Sequence, residues 1–427
     1  MMSGMDPALV HRLASGEGWG LLQSLPPYDE SQVVSTTARL REAGFDPELV
    51  AAALTQSRLR ARGAAKFGAA AATMLFTEDG LEQATRLAVA TRHAERLAAS
   101  GVTRVWDLGC GIGADAMAMA RAGLEVIAVE ADPTTAAVAA VNLRPWPHAS
   151  VRTGRAEDVV LPTGERARHC AVWFDPARRV SGVRDVTGTR ARRLFRLDQL
   201  SPDWDLVSET AVRLPAAGAK LSPAFPHAQL PPGTEAQWTS FDGEAVECAV
   251  WWGAAAHRPG RSAQVHTGTD WVVVHEDEEA GPHPVLTGPA QVRRWLYEPD
   301  RAVLQAGLVG TLAARVDGAE LDPGVGFVTA DRAVDLPWAR RWHLVEVLPL
   351  HPKTLRAWAR GHDVGRLTLK KRGVRVDAED LRRQLRLRGS REEVLLLTRI
   401  GGRPFAVNLA AQVLRVDPHA ALLQRQP

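Results

Sequence analysis

The chain has 427 residues, 45% hydrophobic and 24% charged, with 52 basic and 49 acidic side chains and a net charge of +3. That balance excludes a disordered chain, an acidic solvating tail and a histone-like basic tail, and the length predicts about two to four domains. Three scattered cysteines, Cys110, Cys170 and Cys248, exclude a disulfide framework and a four-cysteine zinc site. The N-terminal residues have no signal-peptide core and no run reaches the ~18 apolar residues of a membrane span, so a reducing, cytoplasmic setting without metal or membrane is expected.

Residues 1–100 read as helical, with 1–85 as a separate N-terminal segment. Leu81, Ala84, Leu87, Ala88, Ala94, Leu97 and Ala98 recur at three- and four-residue spacing, and Asp79-Gly80 is a plausible helix start. From Val102 the period changes. Short apolar runs at 105–109, 124–130, 150–154, 170–175 and 204–209 read as strands, with helical patterns between them, as over 134–142. Residues 235–253 form two strand-like runs around Asp242-Gly243, a hairpin signal. The pattern predicts an α/β domain over 86–255, a parallel sheet ending in an antiparallel hairpin. A Pro/Gly-rich stretch follows. Residues 256–342 read as a connecting region, with a strand at 271–279 and a helix over 288–316 broken near Glu298-Pro299. Residues 343–427 alternate strands and helices as a small α+β domain.

Gly109, Gly111 and Gly113 follow the strand ending at Leu108 and open a helix. Such a turn lets a ligand approach the backbone and the unpaired N–H groups of the helix start. Gly109, Gly111 and Ala114 also satisfy the dinucleotide pattern. The neighbouring acids separate the two cofactor classes. Asp107 stands two residues before the first glycine, where it repels a pyrophosphate and suits an ammonium. Glu130 ends the next strand, where it can accept ribose hydroxyls, and Asp158 follows the third, where it can take a purine amino group. This acidic set fits a cationic sulfonium cofactor with an amino-acid tail.

These stretches, DLGCGIG, VIAVEAD and GRAED, resemble class I S-adenosyl-L-methionine-dependent methyltransferases over roughly residues 75–253. The resemblance implies a Rossmann-like, seven-stranded sheet. It implies cofactor binding by Asp107, Gly109, Cys110, Gly111, Gly113, Glu130, Ala131 and either Glu157 or Asp158. Phe76-Thr77-Glu78 and the following LEQAT resemble the element that folds over the cofactor in cap and ribosomal-RNA guanosine methyltransferases, which adds Thr77 and Gln83. At the fourth strand end, enzymes of this class that methylate exocyclic base amines carry an acid or amide, two prolines and an aromatic. Asp175 and Pro176 match, so they are the expected catalytic pair, whereas Ala177 and Arg178 stand where the second proline and the aromatic would be. Arg178 and Arg179 open an arginine-rich loop suited to phosphates.

Between His351 and Pro404, 15 basic residues face 6 acidic ones, which leaves −6 for the rest of the chain. Lys370, Lys371 and Arg372 lie in this segment, and a basic face of this kind suits an RNA backbone. The stretches YEPDRAVLQAGLV, LTLKKRGVRVDAEDLRRQLRLRG and EEVLLLTRIGGRP resemble the THUMP-like C-terminal domain of a group of mainly actinobacterial methyltransferases. The expectation is a methyltransferase acting on RNA at a base nitrogen. Two alternatives stay open: a small-molecule or protein substrate, and an RNA-binding protein whose methyltransferase fold has lost activity.

Overall fold

A computed structural model describes residues 5–178, 197–276 and 282–410. The first hundred residues fold into helices α1 (Pro7–Leu13), α2 (Gly16–Ser24), α3 (Val33–Glu42), α4 (Pro47–Phe67), α5 (Glu78–Gln83) and α6 (Leu87–Ala99). Asp46 starts the long α4 by accepting from the Leu49 N–H at 3.0 Å, with Pro47 as the first helical residue. Two buried amides then fix the segment between α4 and α5. Gln56 accepts from the Phe76 N–H at 2.9 Å and donates to the Phe76 carbonyl at 2.7 Å. Asn142 does the same for Leu75, at 2.8 and 3.0 Å, and also donates to the Ile112 carbonyl at 2.9 Å. The backbone before α5 is therefore tied to the glycine turn by a side chain from a third element.

The α/β region follows as β1 (Arg104–Leu108), α7 (Ala114–Arg121), β2 (Glu125–Glu130), α8 (Pro133–Leu143), β3 (Ala149–Thr153) and β4 (Cys170–Phe174). It continues as α9 (Trp204–Ala211), β5 (Ala216–Leu221), β6 (Glu235–Phe241), β7 (Glu244–Gly253), β8 (Gly260–His266) and β9 (Trp271–His275). The strand order is β9-β8-β6-β7-β5-β4-β1-β2-β3. Strands β1 to β7 form the expected parallel sheet with its hairpin, and β8 and β9 add two antiparallel strands. The hairpin turns at Asp242 and Gly243, both with positive φ (53° and 77°), as a two-residue turn of this hand requires.

The strand expected at 204–209 is a helix. Asp203 caps it by accepting from the Leu206 N–H at 2.9 Å, and Trp204, Val207 and Ala211 are buried at helical spacing. The strand is instead Ala216–Leu221, an Ala/Gly-rich run with little strand propensity of its own, built by parallel pairing with β4.

Two compact units divide the chain: residues 1–235 with 249–259, and residues 236–248 with 260–427. In the first, one core cluster joins helix and sheet residues, including Val105, Val126, Ala128, Ala171 and Trp173. In the second, the helix expected over 288–316 is strand β10 (Trp295–Pro299) followed by α10 (Arg301–Gln305) and α11 (Val309–Val316). Antiparallel partners on both sides of β10 override its helical periodicity. With β11 (Ala319–Glu320), β12 (Val328–Ala330), β13 (Ala339–Pro349), β14 (Val364–Lys371), β15 (Arg391–Ile400) and β16 (Arg403–Leu409), it makes a seven-stranded sheet. Its order is β11-β12-β10-β13-β16-β15-β14. Helices α12 (Pro352–Gly361) and α13 (Ala378–Leu385) bury Leu355, Trp358, Leu381 and Leu385 in a core with Leu395, Leu397 and Ala406.

Candidate active site

β1, β4 and β5 are parallel neighbours, and their carboxyl ends bring the site together. At the end of β1 the chain turns through Gly109 and Gly111 to Gly113, which caps α7 at φ 86°. Gly109 has a φ of 89°, and a Cβ there would lie 2.9 Å from the Asp175 carbonyl oxygen. Only glycine fits a left-handed residue this close to another backbone. The N–H groups of Gly109 and Cys110 both donate to the Val129 carbonyl, at 2.9 and 3.1 Å, and the Gly111 N–H donates to Glu130 Oε2 at 3.0 Å. Glu130 Oε1 accepts from the Asp132 N–H at 2.9 Å, so this carboxylate lies over the glycine turn. The Cys110 thiol is buried, and burial with the charges of Asp107 and Glu130 pushes its pKa well up, which keeps it a neutral packing group.

Two aspartates here have opposite environments. Asp107 has no exposed surface, and neither carboxylate oxygen has a hydrogen-bond partner. Burial first, then the charges of Asp115 and Asp175, raise its pKa well above the ordinary carboxylate value, against an opposing pull from Lys220. Asp115 in α7 is also buried, and burial alone would raise it. The hydrogen bond and charge of His93, at 2.8 Å from Nδ1, hold it below the usual value instead, helped by Lys220 and by the Thr85 hydroxyl donating at 2.6 Å. A buried carboxylate without donors is costly. The Asp107 carboxylate with the open glycine turn fits a cationic ligand, as a sulfonium amino acid is, and does not fit a pyrophosphate.

Asp175 follows β4, its N–H donating to the Leu108 carbonyl at 3.3 Å, and Pro176 behind it is buried. The sequence did not point to what stands beside it. Lys220 Nζ lies 2.5 Å from Asp175 Oδ2 and 2.9 Å from Thr85 Oγ1. The signal that was present is rarity: only five of the 52 basic residues are lysine, and two, Lys66 and Lys220, belong to this unit. Lys66 donates to the carbonyls of Leu81, Glu82 and Ala84 at 2.6–2.9 Å and so finishes α5.

The remaining expected site residues are spread over both units. Thr77 caps α5 by accepting from the Gly80 N–H at 3.0 Å, and Gly80 packs against Ile112 of the glycine turn. Gln83 is exposed at the end of α5, and Ala131 is exposed after Glu130. Glu157 and Asp158 share a 3-10 turn; Glu157 pairs with Arg155 at 3.0 Å, while the Asp158 side chain has no partner among the described residues. The backbone of Arg178 pairs with Leu200 in a two-residue bridge. Arg179 and the arginines to Arg196 lie outside the described residues. In the second unit Lys370 bonds to Glu298 and lies over the Trp342 ring at 4.7 Å. Arg372 lies over the Phe327 ring at 4.7 Å, and Lys371 donates to the Val376 carbonyl at 3.1 Å. Lys370 and Arg372 are thus engaged within the domain, whereas Lys371 is exposed. Among the described residues no helix is long and apolar enough to cross a membrane, and no group of three or more His, Cys, Asp or Glu is placed to hold a metal.

Comparison with known proteins matches residues 339–410 to a THUMP domain-like family and residues 6–63 to a domain of unknown function, DUF8688. An uncharacterised S-adenosylmethionine-dependent methyltransferase of Mycobacterium tuberculosis, found in two strains, is 30% identical over 352 residues, 80% of this chain and 91% of the relative. A crystal structure from Porphyromonas gingivalis, provisionally named a methyltransferase, has the same fold: 20% identity, TM-score 0.65, covering 90% of this chain and 99% of that one. On the glycine turn, its acids and these likenesses, the chain belongs to the S-adenosylmethionine-dependent methyltransferases and carries a THUMP-like domain.

Proposed function

We propose that this enzyme methylates RNA at a base nitrogen. S-adenosyl-L-methionine supplies an electrophilic methyl group on a sulfonium. Asp107 is assigned to the ammonium of its amino-acid tail, Glu130 to the ribose hydroxyls and Asp158 to the adenine side. Asp158 is favoured over Glu157 because Arg155 already engages Glu157. Thr77, Gln83 and Ala131, on α5 and the turn after β2, are assigned to the same ligand.

The observation that carries the reading is Asp175-Pro176 at the carboxyl end of β4, with the Asp175 carbonyl oxygen against Gly109. A carboxylate there can accept from an amino group and turn its lone pair toward the methyl donor, and proline restricts the backbone that carries it. The reaction then needs positioning more than acid–base help. Arg178 and Arg179 follow directly and are assigned to substrate phosphates.

The THUMP-like domain supports RNA as the substrate. At one end of its sheet, Asp363 N–H donates to the Arg360 carbonyl, Arg391 N–H to the Asp363 carbonyl and Gly389 N–H to the Val364 carbonyl, which gathers the loops 360–364 and 386–391. Arg360 in the last turn of α12 and Arg386 and Arg388 on the second loop are exposed and have no carboxylate partner among the described residues. Exposed unpaired arginines suit phosphates, and they join Lys371 in facing the RNA backbone, whereas Lys370 and Arg372 support the domain from within.

Mass-spectrometric nucleoside profiling of RNA from cells lacking the protein tests the reading. One methylated nucleoside should vanish, return with the wild-type gene and stay absent with Asp175→Ala. An unchanged profile, with methyl transfer found on a small molecule or a protein, would sink it.

A further inference from the structure

Lys220 has no role in the function proposed above, yet it is the most deeply engaged cation of the site. Ala219 pairs in register with Phe174, so Lys220 and Asp175 leave neighbouring strands side by side. The Lys220 side chain is 14% exposed, and its Nζ meets Asp175 Oδ2 at 2.5 Å and Thr85 Oγ1 at 2.9 Å. The Thr85 hydroxyl spends its one proton on Asp115 Oδ2 at 2.6 Å, so toward Lys220 it can only accept. The other Asp115 oxygen meets His93 Nδ1 at 2.8 Å, and the His93 ring lies on the buried Trp173 ring at 4.5 Å. A line of fixed contacts thus runs from the sheet core to the Asp175 carboxylate.

The charges around Lys220 come from several elements. Asp107 of β1, Asp115 of α7 and Asp175 after β4 are acidic, Glu130 of β2 adds to the field on Asp107, and Lys66 of α4 is the other cation it acts on. Lys220 therefore compensates several acids and bonds directly to Asp175. Pro176 is followed by Ala177 and Arg178, where the class that Asp175 resembles has a second proline and an aromatic. The backbone here is held by pairing of Ala177 with Ser201 and of Arg178 with Leu200, and the Asp175 side chain is held by Lys220.

We propose that Lys220 is a positioning residue for the methyl acceptor: braced on Thr85, it holds the Asp175 carboxylate in one orientation. This rests on Asp175 being the group that receives the target amine.

The test uses the full chain as Lys220→Met, Lys220→Arg and Thr85→Val. The first readout needs no substrate: carboxyl carbon NMR of the aspartates, with Asp175 assigned by its loss in Asp175→Asn. In Lys220→Met, Asp175 loses the charge of Lys220 and should titrate at higher pH than in wild type, returning toward wild type in Lys220→Arg. The second readout is transfer of labelled methyl from S-adenosyl-L-methionine to total RNA from cells lacking the protein. In Lys220→Met kcat should fall about 100-fold, as for a misplaced reacting group, with a much smaller change in cofactor affinity, passed on through the charge of Lys220 at Asp107. Thr85→Val keeps the cation and removes the brace, so it should show a smaller fall in kcat, and it serves if Lys220→Met does not fold. An unmoved Asp175 titration, or a loss of cofactor affinity matching the loss of kcat, would overturn the proposal. A shifted titration in a protein that transfers no methyl to RNA would support the hold of Lys220 on Asp175 and remove the RNA reading instead.

Discussion

Asp107 has no exposed surface and no partner for either oxygen, whereas Arg360, Arg386 and Arg388 of the THUMP-like domain are exposed and lack carboxylate partners among the described residues. Both regions hold unsatisfied charge, but at very different cost. An exposed guanidinium keeps its hydration, so each arginine contributes a small, salt-screened increment to binding a polyanion. A buried carboxylate without donors has lost its hydration, so a cation reaching it recovers a large interaction. The pocket is committed to one ligand chemistry; the domain surface is committed only to a sign of charge.

The largest effect is expected at Asp107. Asp107→Asn removes a charge-assisted bond of about 1.5–3 kcal/mol, which is roughly a 10- to 100-fold loss of S-adenosyl-L-methionine affinity by calorimetry. The same change should make the ligand-free protein more stable as pH rises. The folded pKa of Asp107 is raised, so its contribution is favourable while protonated and is lost as pH climbs above the ordinary carboxylate range. Thermal melts of the two proteins across pH should diverge in that direction.

Asp115→Asn should do the reverse. It turns one of the two acceptor oxygens that meet His93 and Thr85 into a donor, removes the charge, and costs about 1–3 kcal/mol of stability. Because the folded pKa of Asp115 is lowered, that contribution is present above the ordinary carboxylate range and fades as pH falls through the folded value. Equal pH profiles for the two variants would erase the distinction between a partnered and an unpartnered buried acid.

Glu130→Gln keeps the shape of the side chain over the glycine turn and removes its charge. A loss of about 1 kcal/mol, near fivefold in cofactor affinity, is expected for an acceptor of ribose hydroxyls. The smallest effect belongs to the arginines. Arg386→Ala with Arg388→Ala should leave cofactor binding intact. For single-stranded RNA, the slope of log affinity against log salt should become shallower by about 0.7 for each phosphate no longer neutralised. An unchanged slope would place RNA binding away from this end of the domain.

What the sequence disclosed and what it hid follow from the range of the interactions. The glycine turn at Gly109 and the strand positions of Asp107 and Glu130 were legible because a turn needing positive φ and acids near strand ends are local patterns. The THUMP-like domain was legible from its motifs and its charge. Lys220 was hidden because its partners, Asp175 and Thr85, are 45 and 135 residues away. Residues 204–209 read as a strand because a short apolar run does not separate strand from buried helix; the Asp203 cap decided for helix. The Ala/Gly-rich β5 carried almost no local signal and exists through its pairing with β4. Lys370 and Arg372 read as part of a basic face, and their contacts within the domain were hidden because Glu298 lies 72 residues before Lys370, and Phe327 is equally invisible to local reading.

The central claim is that the unpartnered Asp107 is kept for a cationic methyl donor. Calorimetric titration of the wild-type protein and Asp107→Asn with S-adenosyl-L-methionine, in buffers of different ionisation enthalpy, tests it most directly. In mildly acidic buffer the wild-type protein should release a proton on binding, because the cation favours the ionised carboxylate, and its affinity should rise with pH. Asp107→Asn should bind weakly and release none. Equal affinity in the two proteins, with no proton released by either, would contradict the claim.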